Sequence, residues 1–107
     1  MKKLLKKILL WLSNNPLKYK FVLVVWEDAN SDSSWNELST IEAMLPTICL
    51  STGFIITQSE DAMVLASDFT TDLKNGDYAV CEAGNTMVIP SKNVLKIVQI
   101  PLNLKIK

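Results

Sequence analysis

Six consecutive apolar residues, Phe21-Val-Leu-Val-Val-Trp26, constrain this chain more than any other feature. Three of the six are Val, whose branched side chains favour the pleated strand, and without polar alternation neither face of the run suits water. The run reads as a strand buried on most of both faces or placed centrally in a small barrel, ended by Glu27 and Asp28. A chain of 107 residues, 49% hydrophobic, holds enough apolar matter for one compact domain around such a strand. It has no room for a second domain of enzyme size.

The segments after it predict a mainly β fold. ANSDSSWNEL is a polar loop. Ser39 and Glu42 stand at capping-box spacing before the stripe Ile41, Met44 and Leu45, which predicts a short helix at 40–45 ended by Pro46. Ile48–Thr57 and Ala62–Ser67 form a hairpin around the polar residues 58–61. Gly53, inside the first of these, suggests a bulge or sharp coil. SDFTTDLKNGD reads as a loop closing on an Asn75–Gly76 turn. Tyr78–Cys81 and Thr86–Ile89 flank EAGN as a second hairpin, with Gly84 suited to positive φ. Pro90 ends that strand, SKNV makes a tight turn, and 95–100 is the last strand. This order, with a long first connection and a turn before the final strand, predicts an SH3-like five-stranded barrel over 21–100, closure removing the exposed edges. An OB-like barrel is the alternative. Residues 101–107 alternate apolar and polar and read as a tail, either an edge strand or an arm.

The first 20 residues have another character. At 100° per residue, Leu4, Leu5, Ile8, Leu9, Trp11 and Leu12 fall in one arc of about 160°, and Lys2, Lys3, Lys6 and Lys7 face the other way. This predicts a basic amphipathic helix over 1–15, stopped before Pro16, with 16–20 as a linker. The start resembles a signal peptide, but Lys6 and Lys7 interrupt its apolar run and no small-x-small cleavage pattern follows. No stretch approaches the roughly 20 apolar residues of a spanning helix. Charge divides at the same place: residues 1–20 carry six Lys and no acid, whereas 21–107 carry five Lys against eleven acids, so the halves balance at +6 and −6. A basic arm on an acidic body favours a docking arm and disfavours broad nucleic-acid binding by the body.

The chain has neither His nor Arg. It therefore lacks the commonest general base and metal ligand, and the bidentate fork that reads guanine or grips phosphate. Cys49 and Cys81 are too far apart for a CxxC pair and have no His to activate them. They read as reduced packing residues, with one disulfide as the alternative. Asp61, Asp68, Asp72, Asp77 and Glu82 follow no calcium-loop spacing and read as solvated turn residues. No catalytic, cofactor or metal site is expected.

Residues 22–100 resemble small bacteriophage-encoded proteins of unknown function. The resemblance lies in VVWEDANSDSSWNELSTIEAMLP, where Trp26, Asp28, Ala29, Ser31, Trp35 and Pro46 match a strand ending in W-x-D-A, a Ser/Asp-rich loop with a second Trp, and a short acidic helix ending at Pro. It continues in Thr52-Gly53-Phe54-Ile55, Leu65-Ala66, and Ile89-Pro90 with Val94 and Ile97. It implies a viral source and the barrel pattern, and it supplies no activity; the basic helix lies outside it.

The expected function is that of a non-enzymatic viral accessory or structural protein, in the virion or host cytoplasm, working through contacts with another protein or with copies of itself. Leu5, Ile8, Trp11, Leu12 and Trp35 are the expected partner-binding residues. Trp26 and Trp35 could line a recognition patch at a barrel rim. In the plainer reading Trp26 is core, Trp35 plugs its own loop and Asp28 caps a turn. The arm suits a protein groove, its own barrel or an anionic membrane surface. A small nucleic-acid-binding barrel is the alternative class, disfavoured by the acidic body.

Overall fold

The computed structural model describes residues 2–14, 18–74 and 77–102. In chain order it holds helix α1 (Lys2–Asn14), strand β1 (Phe21–Asp28), helix α2 (Leu38–Glu42), strands β2 (Thr47–Gln58), β3 (Ala62–Lys74) and β4 (Asp77–Pro90), a 3₁₀ turn (Ser91–Asn93) and strand β5 (Val94–Gln99). The strands form one antiparallel sheet in the order β4-β3-β2-β1-β5, so the apolar β1 takes an interior place between β2 and β5.

The expected barrel is not formed. The sheet is open: β4 and β5 are its edges, and no backbone ladder joins them among the described residues. Closure needs strands of matched length and stagger. Here β4 has 14 residues and β5 only six, and β4 from Asp77 to Gly84 pairs with β3 in a segment that reaches past the other strands. The edges are managed by other means, a very short β5 and a β4 that carries Glu82 and ends in Pro90.

One face of the sheet gathers the core. Val22 and Val24 of β1, Met63 and Leu65 of β3 and Ile89 of β4 are buried together, and Trp26, Ile55 and Val94 pack against them. These positions alternate along each strand, as a half-buried sheet requires. The far end of β4 is tied down by Ser91, whose N–H donates to the Asp61 carbonyl at 3.0 Å and whose hydroxyl donates to the Ser59 carbonyl at 2.7 Å. The β2–β3 turn and the 3₁₀ turn thereby hold each other.

Gly53 does not mark a bulge. The register breaks instead between Ile55 and Thr57, between Val25 and Trp26, and between Thr70 and Thr71. Gly53 serves close approach: a Cβ there would stand 3.2 Å from both the Ala66 carbonyl oxygen and the Leu65 Cβ. Gly53→Val therefore forces β2 and β3 apart and is expected to cost about 1–3 kcal/mol. Urea unfolding measures it, and an unchanged midpoint would refute the close approach.

Four local expectations are corrected. The segment 67–74 is strand, not loop, and β4 runs unbroken through residues 82–85 where a hairpin turn was expected. Pairing of β2 with β3 stops at Phe54–Ala66, while β3 and β4 continue from Asp68–Gly84 to Lys74–Asp77 as a two-stranded ribbon beyond the sheet. Most of its described side chains, among them Ser67, Asp68, Thr70, Thr71, Asp72 and Glu82, are exposed, and a ribbon so open to water needs no apolar alternation and mimics a loop in sequence. Positive φ falls on Asn85, at 53°, and not on Gly84; Asn tolerates that region, and its side-chain amide donates to the Asp68 carboxylate. The Asn75–Gly76 pair and residues 103–107 lie outside the described residues. Finally, α2 begins at Leu38 on a Glu37 N-cap that makes no side-chain bond, so the Ser39/Glu42 capping box is not formed, and none of its residues is buried.

An aromatic line anchors the root of the ribbon. Phe21 meets Phe54 at 5.0 Å between centroids, Phe54 meets Phe69 at 5.2 Å, and Phe69 stacks on Tyr19 at 5.4 Å. The segment entering β1 is thus fastened to β2 and β3.

Candidate interaction surface

Helix α1 forms because its Leu and Lys residues are strong helix formers and no Gly or Pro interrupts them. It is poorly supported by itself. Thirteen residues are marginal for an isolated helix in water, no acid stands in the first turn, and Lys2 and Lys3 sit at the positive end of the macrodipole. Its stability must come from burial of the apolar stripe. Yet Leu4 and Leu5 are 50% and 54% exposed and Leu9 is also open, with Ile8, Trp11 and Leu12 half-buried.

The body presents apolar surface of its own. On the face of the sheet opposite the core, register places Leu23, Thr52 and Val98 in one row, Val25, Leu50 and Lys96 in the next, and Glu27 beside Ile48 in a third. Leu50 is 68% exposed and Ile48 53%. The segment entering β2 adds Leu38, Ile41, Met44 and Leu45, all exposed.

The loop from β1 to α2 is organised around Asp32, not Asp28. The Asp32 carboxylate accepts from the Ser34 hydroxyl at 2.5 Å, the Ser34 N–H at 2.9 Å and the Asn36 amide at 3.1 Å. These bonds, the Ser34 hydroxyl first, hold its pKa below the usual Asp value. Asp28 is exposed at the end of β1. Trp35 does not plug this loop: its side chain is fully exposed. Trp26 joins the core as the plainer reading has it, and its indole N–H donates to the Ser51 hydroxyl at 3.0 Å. The two tryptophans therefore do not form a shared patch. Leu5, Ile8, Trp11 and Leu12 share α1, and Trp35 stands apart on its loop.

Cys49 is half-buried and Cys81 exposed, and both are free thiols, so the packing role fits Cys49 at most. Among the described residues no three His, Cys, Asp or Glu side chains converge on a metal-sized site, and no helix is long and apolar enough to cross a membrane. Sequence reasoning missed the open apolar rows around Leu50 and the Tyr19–Phe69–Phe54–Phe21 line. The exposed β2 residues read as ordinary strand interior, and ring contacts between segments leave no local signal.

Comparison of the chain with protein-family models, with curated proteins and with solved structures finds no match. The resemblance of residues 22–100 to small bacteriophage proteins is accordingly overturned: no family model supports its motifs, and the barrel it implied is an open sheet. What remains is a mainly β domain with a five-stranded antiparallel sheet and an N-terminal helix, and its viral origin has no independent support in the molecule.

Proposed function

We propose that this chain is a non-enzymatic interaction module that works through protein–protein contacts, with α1 as its docking element. The observation that carries the reading is the apolar stripe of α1, with Leu4, Leu5 and Leu9 open beside the half-buried Ile8, on a helix too short and too badly charged at its start to persist unsupported. Buried Leu and Trp would supply most of the affinity, and the lysines would supply orientation and rate. An anionic bilayer suits the arm but repels the acidic body, and a nucleic acid meets the same repulsion without Arg to offset it.

Ile8→Asp tests the reading. Full-length wild type and variant are compared in cross-linked protein capture from expressing cells, in flotation with phosphatidylserine vesicles, and in binding to a labelled single-stranded oligonucleotide. Capture that depends on Ile8, without flotation or strand binding, is the expected result. Flotation lost when Lys3 and Lys7 become Gln would overturn it, since each near-surface Lys is worth about 1 kcal/mol on such a bilayer. Micromolar strand binding with a steep salt slope would overturn it equally.

A further inference from the structure

We infer that the partner of α1 is a second copy of this chain, the helix of each copy lying across the β1–β2 outer face of the other. The inference rests on the interaction-module reading and names its partner.

Area argues first. The chain exposes 8604 Å², whereas a folded monomer of 12.0 kDa exposes about 6,000 Å². Its radius of gyration is 19.5 Å, against about 13 Å for a compact domain of this length. The surplus, about 2,600 Å² per copy, makes about 5,000 Å² for a pair, which lies in the range that obligate homodimers bury. The ribbon beyond the sheet contributes to that surplus, and so do the exposed apolar residues of α1 and of the β1–β2 outer face, which a second copy would cover.

Charge selects the occupant. Helix α1 carries four Lys and no acid, while residues 21–73 carry nine acids and no Lys or Arg. The complement of the arm is therefore this chain's own body, and residues 1–20 and 21–107 cancel at +6 and −6. Lys96 is a base on the outer face, but it belongs to β5, on the far side of Val25 from Leu50. A helix over β1 and β2 avoids it and brings its lysine flanks toward Glu27, Asp28 and Asp32.

Dimensions agree. Thirteen helical residues span about 20 Å. The eight paired positions of β1 and β2 span about 26 Å. Within one copy the two surfaces do not cover each other, since Leu5 and Leu50 are both more than half exposed. Exchange between two copies buries both surfaces twice under one two-fold axis, a closed arrangement that leaves no free end to polymerise.

The test is sedimentation equilibrium on the full chain, using Ile8→Asp, Leu50→Lys and an equimolar mixture of the two. Wild type is expected at twice 12.0 kDa. Each variant alone should associate at least about thirtyfold more weakly, the loss expected when a large aliphatic anchor is replaced by a charge. The mixture should recover a heterodimer, because the intact helix of the Leu50→Lys copy still meets the intact face of the Ile8→Asp copy. Both substituted side chains are open to solvent or half so, and far-ultraviolet circular dichroism checks that the sheet persists. Lys3→Glu combined with Lys7→Glu leaves the apolar stripe untouched; it should weaken the dimer about tenfold near 0.05 M salt, a difference that shrinks near 0.5 M as the screening length shortens.

A wild type that stays monomeric up to several hundred micromolar overturns the inference, and so does a dimer indifferent to both Ile8→Asp and Leu50→Lys. A mixture no tighter than its components overturns the exchanged geometry. If wild type is monomeric but still captures another protein through Ile8, only the identity of the partner is wrong. If it is monomeric and captures none, the interaction-module reading fails with it.

Discussion

Ile89→Ala is expected to lower the free energy of unfolding by about 3 kcal/mol, within the range for removing large buried aliphatic side chains. The effect is large because the core is small. Five side chains, Val22, Val24, Met63, Leu65 and Ile89, form its fully buried centre, and Ile89 is completely sealed. It stands opposite Met63 in the β3–β4 ladder, one residue before Pro90 and two before the Ser91 bonds that hold the 3₁₀ turn. A cavity there loosens the β4 edge and the start of β5 together. Domains of this size have about 5–15 kcal/mol in total, so this one methyl-rich side chain accounts for a large fraction. Urea unfolding followed by circular dichroism, at one fixed protein concentration, should show a midpoint lower by 1 M or more, estimated from slopes of about 1–3 kcal/mol/M, with the slope unchanged. Val88→Ala is the control. Val88 is the preceding residue and lies 65% exposed on the opposite face, so its loss should stay within about 0.5 kcal/mol. Equal losses at 88 and 89 would mean that the core face has been assigned wrongly.

Much of the sheet was legible because burial leaves local marks. The Phe21–Trp26 run announced an interior strand, the 58–61 polar stretch announced the β2–β3 turn, and the Pro90–Val94 segment announced the 3₁₀ turn. Closure left no such mark. Whether β4 meets β5 depends on strand length and stagger, and β4 could not be seen at full length because EAGN looked like a turn. The ribbon of 67–74 with 77–85 was hidden for a related reason: strands whose described side chains are mostly exposed show no period of two in their hydrophobicity. The apolar stripe of α1 was legible residue by residue, because helical spacing separates Leu from Lys. The open apolar face of the sheet was not, since Ile48 and Leu50 belong to a strand whose other side does reach the core, and sequence alternation cannot say which apolar side remains open.

Trp26 and Trp35 give the last and sharpest contrast. Trp26→Ala is expected to cost about 3 kcal/mol, because the indole packs against the five-residue core centre from the end of β1. Trp26→Phe keeps most of that packing and should cost nearer 1 kcal/mol. What it loses is the indole N–H bond to the Ser51 hydroxyl, which in turn turns its proton toward the Met87 sulfur at 3.5 Å and so links β1, β2 and β4 over the core. Ser51 is only half-buried, so water can replace the lost donor and the penalty stays small. Trp35→Ala removes a side chain as large, but one that touches solvent on all sides, and should leave the unfolding midpoint within about 0.5 kcal/mol of wild type. Fluorescence separates them independently: quenching by iodide should fall in Trp35→Ala, where the half-buried Trp11 and Trp26 remain, and should rise in Trp26→Phe, which removes a shielded emitter. Equal stability losses at the two positions would show that Trp35 folds back into the body, and the loop built around Asp32 would then be a plug for the core and not a free surface.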